Sequence, residues 1–366
     1  MSKARELAEL GAVYDSGALS NRNFIINGGM EVAQRGTSSQ KTGGTTGYET
    51  VDRFIAYIAT YSSLVATQSQ STDVPSGSGF SKSFKINVDT AESAPANGFV
   101  DFRYKSESQD MQSLAFGTSS AKTMTLSFWV KSNVTGTYNI SFYMDDSVKT
   151  YNVSYTINAA GTWEHKTVQV TGNTNSGQIF NDDNGVGLYV AFTLSAGTNY
   201  KGSPSTNAWG TYAAAGWGGS QTADIAGTAS NYWQVTGVQL EVGTEATPFE
   251  HRSVGDELER CKRYFQCSAT SMNGGDRNAG TQTDEMYFGK GESYLSIFFN
   301  PAMRAAPTVT TSNDTGKGAG RYTIAGVNNY TDGSVVKTTQ NFYSMLTPST
   351  NASYNTKTGF DADAEL

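Results

Sequence analysis

Four large aromatic residues lie close together in a segment of the chain that otherwise holds mostly small residues. The segment is NYKGSPSTNAWGTYAAAGWGGS, and its rings follow neither the period of a strand nor that of a helix. Aromatic faces can stack on the C–H faces of sugars, and long loops on a rigid scaffold often carry binding sites. The sequence therefore predicts a glycan-binding loop with Tyr200, Trp209, Tyr212 and Trp217. It leaves open whether the two tryptophans instead plug one end of the fold, because large aromatic side chains are mostly buried.

Other residue patterns weigh against catalysis. The two histidines, His165 and His251, neighbour no nucleophile motif of the Gly-x-Ser-x-Gly type. Adjacent aspartates occur in YMDDSV and FNDDNG, but both are turn sequences, in which aspartate is expected for structural reasons. We therefore expect no enzyme activity. The alternative enzyme is a polysaccharide depolymerase with a pair of catalytic carboxylates.

Two glycines in NFIINGGMEVAQRG raise the question of a phosphate-binding loop. Such a loop needs its glycines at the turn from a strand into a helix, whose N-terminal N–H groups bind the anion. Here the polar stretch SSQKTGGTTG follows, which does not predict a helix, and neither of the common glycine-rich nucleotide motifs is present. The glycines instead indicate a structural turn.

Composition limits the class of protein. Charged residues make up 16% of the 366 residues, and there are 39 Gly, 20 Tyr and 18 Phe, a mixture that favours β-sheet. The formal net charge is -7 without a basic run, so nucleic acid is not an expected partner. Two cysteines six residues apart form neither a disulfide framework nor a zinc motif. We expect neither a signal peptide nor membrane insertion, because the first residues are charged and no long apolar run occurs.

Alternation of apolar and polar residues predicts strands at 124–130, 138–144, 163–170, 186–194 and 233–242. Turn residues separate these strands, and helical periodicity is almost absent up to residue 250. This pattern favours an antiparallel β-sandwich and disfavours a parallel α/β fold.

Two segments predict helices. In HRSVGDELERCKRYFQ, Ser253 and Asp256 form a capping-box start, and Leu258, Cys261 and Phe265 lie on one apolar face. The opening residues SKARELAELG also predict a short helix, which would be unstable without a partner.

The chain therefore divides into four predicted parts. Residues 1–20 form an N-terminal helix and linker, 21–250 the β-sandwich, 251–266 a linking helix, and 267–366 a smaller C-terminal β domain.

Several stretches in this order resemble a family of bacteriophage tail-fibre and virion-appendage proteins found in marine phages. They are NRNFIINGGMEVAQRG, GYETVDRF, YWQVTGVQLEVGTEATPFEHRSVGDELERCKRYFQ and the closing FDADAEL, and together they cover about a quarter of the chain. The resemblance implies a jelly-roll similar to carbohydrate-binding modules, with residues 23–31 and 233–242 as neighbouring first and last strands. It also implies a structural calcium ion at Glu31. Hydrogen bonds and ion pairs between sheet edges would involve Gln34, Arg35, Asp52 and Arg53.

The same resemblance implies a role in the virion, after assembly in the host cytoplasm. The protein would be a homotrimeric tail fibre or appendage that attaches to other virion proteins through residues 1–20. Its distal part would bind a host-surface polysaccharide, and three such sites would bind a repetitive surface more tightly than one. The alternative is a decoration or adaptor protein with a purely structural role.

Overall fold

The computed structural model describes residues 21–44, 46–203, 206–267, 286–288, 293–313, 316–318, 322–324, 328–330, 334–347 and 356–366. The predicted N-terminal helix and virion anchor at 1–20 lie outside the described residues.

Strands account for most of the described elements. Those before residue 250 are β1 (Ser38–Thr42), β2 (Thr46–Gly47), β3 (Phe54–Ala59), β4 (Val65–Ser71), β5 (Ser83–Thr90), β6 (Phe99–Glu107), β7 (Met124–Ser132), β8 (Gly136–Met144), β9 (Lys149–Ile157), β10 (Glu164–Val170), β11 (Val186–Ala196), β12 (Trp209–Thr211) and β13 (Tyr232–Val242). Two short 3-10 helices, Ser108–Leu114 and Ala214–Gly216, interrupt them.

These strands form two antiparallel sheets that pack face to face as a jelly-roll sandwich. The six-stranded sheet has the order β1-β4-β5-β13-β7-β10, and the seven-stranded sheet has the order β12-β9-β8-β11-β6-β3-β2. The five strands predicted from alternation are all present, with ends shifted by at most two residues. The predicted mainly β, antiparallel fold class is thus confirmed.

The alternation of side chains fills one continuous core between the two sheets. On β7, Leu126, Phe128 and Val130 are fully buried, and Phe128 packs edge-on against Phe192 of the facing sheet. Trp233 is also fully buried, and its indole N–H donates to the Tyr155 hydroxyl at 3.0 Å. Burying one such ring contributes about 2–3 kcal/mol, so these positions fix the register of the strands.

Residues 23–31 do not form the first strand that the sequence predicted. The segment contains a turn and runs beside β13, where Phe24 N donates to Leu240 O and Val238 N donates to Gly28 O, each at 2.9 Å. A Cβ atom on Gly28 would lie 2.1 Å from Val238 O. The glycine therefore permits close backbone approach, and a left-handed Asn27 (φ 61°) breaks the extended conformation. The expected proximity to the last strand is nevertheless present.

The linking helix is shorter than predicted. Helix α1 covers Val254–Lys262, with Ser253 as N-cap accepting a hydrogen bond from Asp256 N at 3.1 Å. The chain leaves the helix because Tyr264 is buried beneath Arg53 and because Phe265 begins a strand. The predicted extent 251–266 is therefore too long at both ends.

The described strands after α1 belong to two further antiparallel sheets. They are β14 (Phe265–Cys267), β15 (Met286–Phe288), β16 (Ser293–Phe298), β17 (Thr308–Asn313), β18 (Gly316–Gly318), β19 (Tyr322–Ile324), β20 (Asn328–Tyr330), β21 (Ser334–Thr338), β22 (Phe342–Thr347) and β23 (Thr356–Asp363). β23 pairs with β14, β15, β17 and β19, while β22 lies between β16 and β21. Within the described residues, no helix has the length and apolarity needed to cross a membrane.

Candidate functional site: an aromatic groove

Besides the core between the sheets, a cluster of aromatic residues packs on the outer face of the seven-stranded sheet. Along β6, Val100 and Phe102 point into the sandwich core, while Phe99 points outward and packs with Trp217. Rings from neighbouring strands join this face, because β3 places Tyr57 opposite Asp101 of β6. An outward face with this many rings departs from the usual polar exterior of a sandwich.

The loop between β11 and β13 closes one side of this face. The backbone carbonyl of Trp217 accepts hydrogen bonds from Asn139 Nδ2 at 2.8 Å, Ser141 Oγ at 3.1 Å and Thr193 Oγ1 at 2.9 Å. All three donors are buried on outward positions of the sheet. The loop is thereby fixed to the sheet at one point, and the Trp217 ring forms a wall.

The result is an open groove with a volume of about 270 Å³. Its lining residues are Tyr57, Phe99, Arg103, Tyr143, Asp145, Tyr189, Tyr200, Tyr212 and Trp217. The rings contact one another at varied angles: Tyr57 stacks on Phe99 with centroids 5.4 Å apart, and Tyr200 packs on Phe99 at 4.6 Å. Because they support each other, the rings present a preformed surface.

Arg103 lies at the floor of the groove and is paired within the protein. Its Nε and Nη2 donate to the two carboxylate oxygens of Asp101 at 2.9 and 2.7 Å, and the Trp217 indole N–H donates to the same carboxylate at 3.0 Å. The guanidinium carbon lies 4.2, 5.3, 5.8 and 5.9 Å from the ring centroids of Tyr57, Trp217, Phe99 and Tyr189. Burial opposes the charged form, but Asp101 outweighs it and the pKa of Arg103 is raised.

The rim of the groove carries one carboxylate. Asp145 lies in the turn after β8, and its side chain is near the Tyr189 hydroxyl. Partial burial, together with the neighbouring Asp146 charge, raises the pKa of Asp145. Burial raises the pKa of Tyr189 to about 12, with a further contribution from Asp145, so this phenol is neutral at physiological pH.

Several hydroxyl groups of the groove have no hydrogen-bond partner among the residues that the structure describes. Within the described residues, the phenols of Tyr57, Tyr143, Tyr200 and Tyr212 make no hydrogen bond, although each ring is held by other rings. These hydroxyls can both donate and accept. The groove thus combines apolar ring faces with unused polar groups, as a polyhydroxylated ligand requires.

The structure separates the four aromatic residues that the sequence grouped. Tyr200, Tyr212 and Trp217 line the groove, although Trp217 is only 6% exposed. Trp209 lies in β12 instead, packs on Phe116 and Tyr151, and donates its indole N–H to Thr171 O at 2.7 Å. Its position at the edge of the main core corresponds to the alternative of a plug.

The predicted calcium ligand Glu31 does not line the groove, and its side chain contacts Ser81 instead. Both of its carboxylate oxygens accept from Ser81 Oγ, at 3.0 and 2.9 Å. Among the residues that the structure describes, no group of three or more His, Cys, Asp or Glu side chains could hold a metal ion. The described surroundings of Glu31 therefore do not supply several carboxylates for a calcium ion.

The four residues expected to join sheet edges form a junction with the chain's last residues. Gln34 N donates to Asp52 Oδ1 at 2.9 Å, while Arg35 pairs with Asp363 at 2.9 Å and with Glu365 at 3.3 Å. Arg53 is fully buried and also pairs with Glu365. These ion pairs connect the sandwich to the end of β23, which the sequence did not indicate.

Comparisons with known proteins give low similarity. No protein-family model matches this chain, and no curated protein matches it. The enzymatically active domain of tailspike protein 4 of bacteriophage CBA120 matches 61% of this chain and 22% of its own, at 12% identity and a TM-score of 0.33. This chain thus spans about a fifth of that protein's length.

Two carbohydrate-binding modules are matched over almost their whole length. A CBM4 structure matches 59% of this chain and 98% of its own, at 12% identity and a TM-score of 0.28. The family 11 module of the cellulase Lic26A-Cel5E of Clostridium thermocellum matches 57% and 97%, at 11% identity and a TM-score of 0.29. At these values the similarities carry no weight for function.

Sequence reasoning missed six lining residues of the groove. They are Tyr57, Phe99, Arg103, Tyr143, Asp145 and Tyr189. The sequence does contain a pattern that indicates Phe99 and Tyr189. In FVDFRYKSE and VGLYVAFTLSA, aromatic residues occupy both faces of the strand. A sheet with one face in solvent needs aromatic residues on only one face. The turn interpretation of YMDDSV is correct, but it does not reveal that Asp145 reaches the groove.

Proposed function

We propose that this protein binds a glycan in the aromatic groove and serves as a tail fibre or appendage of a phage virion that recognises the host surface. The observation that supports binding is the groove itself, in which mutually packed rings carry phenol groups that bond to no residue of the described part of the chain. The faces of the rings suit sugar C–H groups and the phenols suit sugar hydroxyls. The virion role and the homotrimer rest on the sequence resemblance.

A different ligand class, quaternary ammonium ions, also binds aromatic cages. In this groove the Arg103 guanidinium already occupies the position of such a cation, because its central carbon lies within 6 Å of four ring centroids. Asp101 balances the charge of this guanidinium, but a second cation would find the faces of these rings already occupied. The internal cation therefore favours an uncharged, hydroxyl-rich ligand over an ammonium ion.

Binding without catalysis is the proposed activity. Glycosidases generally place two carboxyl groups about 5–10 Å apart across the scissile bond. In the described part of the chain, Asp145 is the one carboxylate that lines the groove, while Asp101 beneath it is held by Arg103 and Trp217. Release of reducing sugar from a bound polysaccharide would contradict this proposal.

The test uses Tyr200→Ala and Tyr212→Ala in affinity electrophoresis against a panel of purified polysaccharides. Loss of one stacking ring is expected to weaken binding about three- to tenfold. Tyr232→Ala is the matched control, because Tyr232 is a half-buried tyrosine on the opposite sheet, packed against Lys85. Equal binding by the wild type and both groove variants would contradict the proposed site.

The purely structural role as adaptor has one observation in its favour. The junction around Arg53 and Glu365 is buried and couples the sandwich to the C-terminal strand, as a joint that transmits force would require. Immunogold labelling of virions separates the two roles: gold at fibre tips supports host recognition, and gold confined to the capsid or tail hub supports the adaptor.

A further inference from the structure

The floor of the groove has no net charge. Arg103 and Asp101 form a two-point ion pair, and the side chains are 11% and 0% exposed. Stacking over four rings further occupies the faces of the guanidinium. An anionic ligand would therefore meet a cation whose charge is already balanced, and it would gain little attraction from it.

Within the described residues, Asp145 is the charged group lining the groove that makes no ion pair. Asp145 is exposed, and Asp146 follows it in the same turn. Lys105 follows two residues after Arg103 on β6 and attracts Asp145, but it does not line the groove, and its Nζ donates to Leu366 O at 2.7 Å. Of the charged groups that line the groove, a carboxylate or sulfate on a bound sugar would therefore meet the Asp145 carboxylate and a guanidinium that Asp101 already neutralises.

We infer that the groove selects uncharged glycans and excludes acidic ones, with Asp145 as the residue that discriminates. The inference rests on the proposed function and concerns the same site. The carboxylate of Asp145 can accept hydrogen bonds from two adjacent sugar hydroxyls. The same carboxylate repels a uronate, sialate or sulfate group, and this repulsion adds to the cost of desolvating the two charges.

The experiment measures binding of the full chain to two sets of polymers. The neutral probes are dextran, mannan, galactan and xylan; the acidic probes are polygalacturonate, alginate and hyaluronate. Each is measured at about 20 mM and about 500 mM salt, because salt screens charge repulsion at the surface. We expect binding to a neutral polymer with little salt dependence, and binding to acidic polymers that is weaker at low salt than at high salt.

Asp145→Asn isolates the charge, because the amide keeps the shape and one acceptor oxygen. It is expected to strengthen binding of acidic polymers at low salt by about threefold or more, and to change binding of the neutral polymer less. Asp182→Asn is the control, since Asp182 is an exposed turn acid that does not line the groove. It should behave as the wild type.

The outcomes separate this inference from the proposed function. Tighter binding of an acidic than of a neutral polymer, abolished by Tyr200→Ala, would overturn the charge selection while leaving glycan binding intact. Absence of binding to every probe, or binding unaffected by Tyr200→Ala, would overturn both.

Discussion

At the scale of single residues, Asp101 is the buried carboxylate that holds Arg103 and Trp217 in the groove. It is fully buried, pairs with Arg103 through two hydrogen bonds and accepts the indole N–H of Trp217. One side chain therefore positions both the floor and the wall of the site. Its own carboxylate does not line the groove, so its role is to position other residues.

Asp101→Asn should destabilise the protein and weaken glycan binding together. The substitution leaves the Arg103 guanidinium buried without a charge partner, which costs about 3 kcal/mol. The free energy of unfolding from urea denaturation measures the first effect, and polysaccharide affinity measures the second. Asp182→Asn provides the exposed control. Unchanged stability would show that Arg103 finds solvent or another partner when Asp101 is neutral.

At the scale of elements, the segment 21–34 shows how a backbone without strand pairing can complete a sandwich. Asn23 Oδ1 accepts from Ile25 N at 2.9 Å and from Leu240 N at 3.0 Å, while Asn27 N donates to Glu257 of α1 at 2.7 Å. Side-chain amides and a helix carboxylate thus accept hydrogen bonds from backbone N–H groups that a paired strand would otherwise satisfy. The apolar run NFII in the sequence gives no indication of this.

Gly28→Ala should destabilise the contact between this segment and β13. The added methyl group would overlap Val238 O, so the backbone has to move apart at a cost of about 2–3 kcal/mol. Gly210→Ala is a matched control, because nothing lies within 4 Å of a Cβ at that position. Thermal unfolding compares the two variants, and equal melting temperatures would contradict the close approach.

At the scale of the whole molecule, buried ion pairs connect the last residues of the chain to the sandwich. Arg53 lies between the rings of Tyr104 and Tyr264, with its guanidinium carbon 5.3 and 3.3 Å from their centroids, and pairs with Glu365. Nearby, Arg263 of the segment after α1 pairs with Glu107 at 2.7 Å. Burial of these charges opposes folding unless every partner is present.

Glu365→Ala should therefore cost about 3–5 kcal/mol, because it leaves Arg53 as an uncompensated buried charge. The C-terminal strand should also detach more readily, which hydrogen exchange of residues 360–364 measures directly. Glu245→Ala, at an exposed position, is the control. Unchanged exchange at β23 in the Glu365 variant would show that other contacts hold the strand.

The sequence by itself determined the fold class and the positions of five strands. Alternation in runs such as MTLSFWV is a local signal, and a strand with one buried face requires it wherever it lies. The start of α1 could also be predicted from local sequence, because the N-cap Ser253 needs a partner only within the next three residues. The aromatic loop could be recognised as unusual because its composition has no periodic explanation.

The tertiary structure alone decided which of these residues form a site. Tyr57, Arg103, Tyr143 and Tyr189 come together through the pairing of β3, β6, β11 and β8, which are distant in sequence. Trp209 and Trp217 have similar local sequences, yet one packs on the main core and the other on the outer face of a sheet. Which face a ring meets depends on register and packing between distant strands, and no local pattern encodes that outcome.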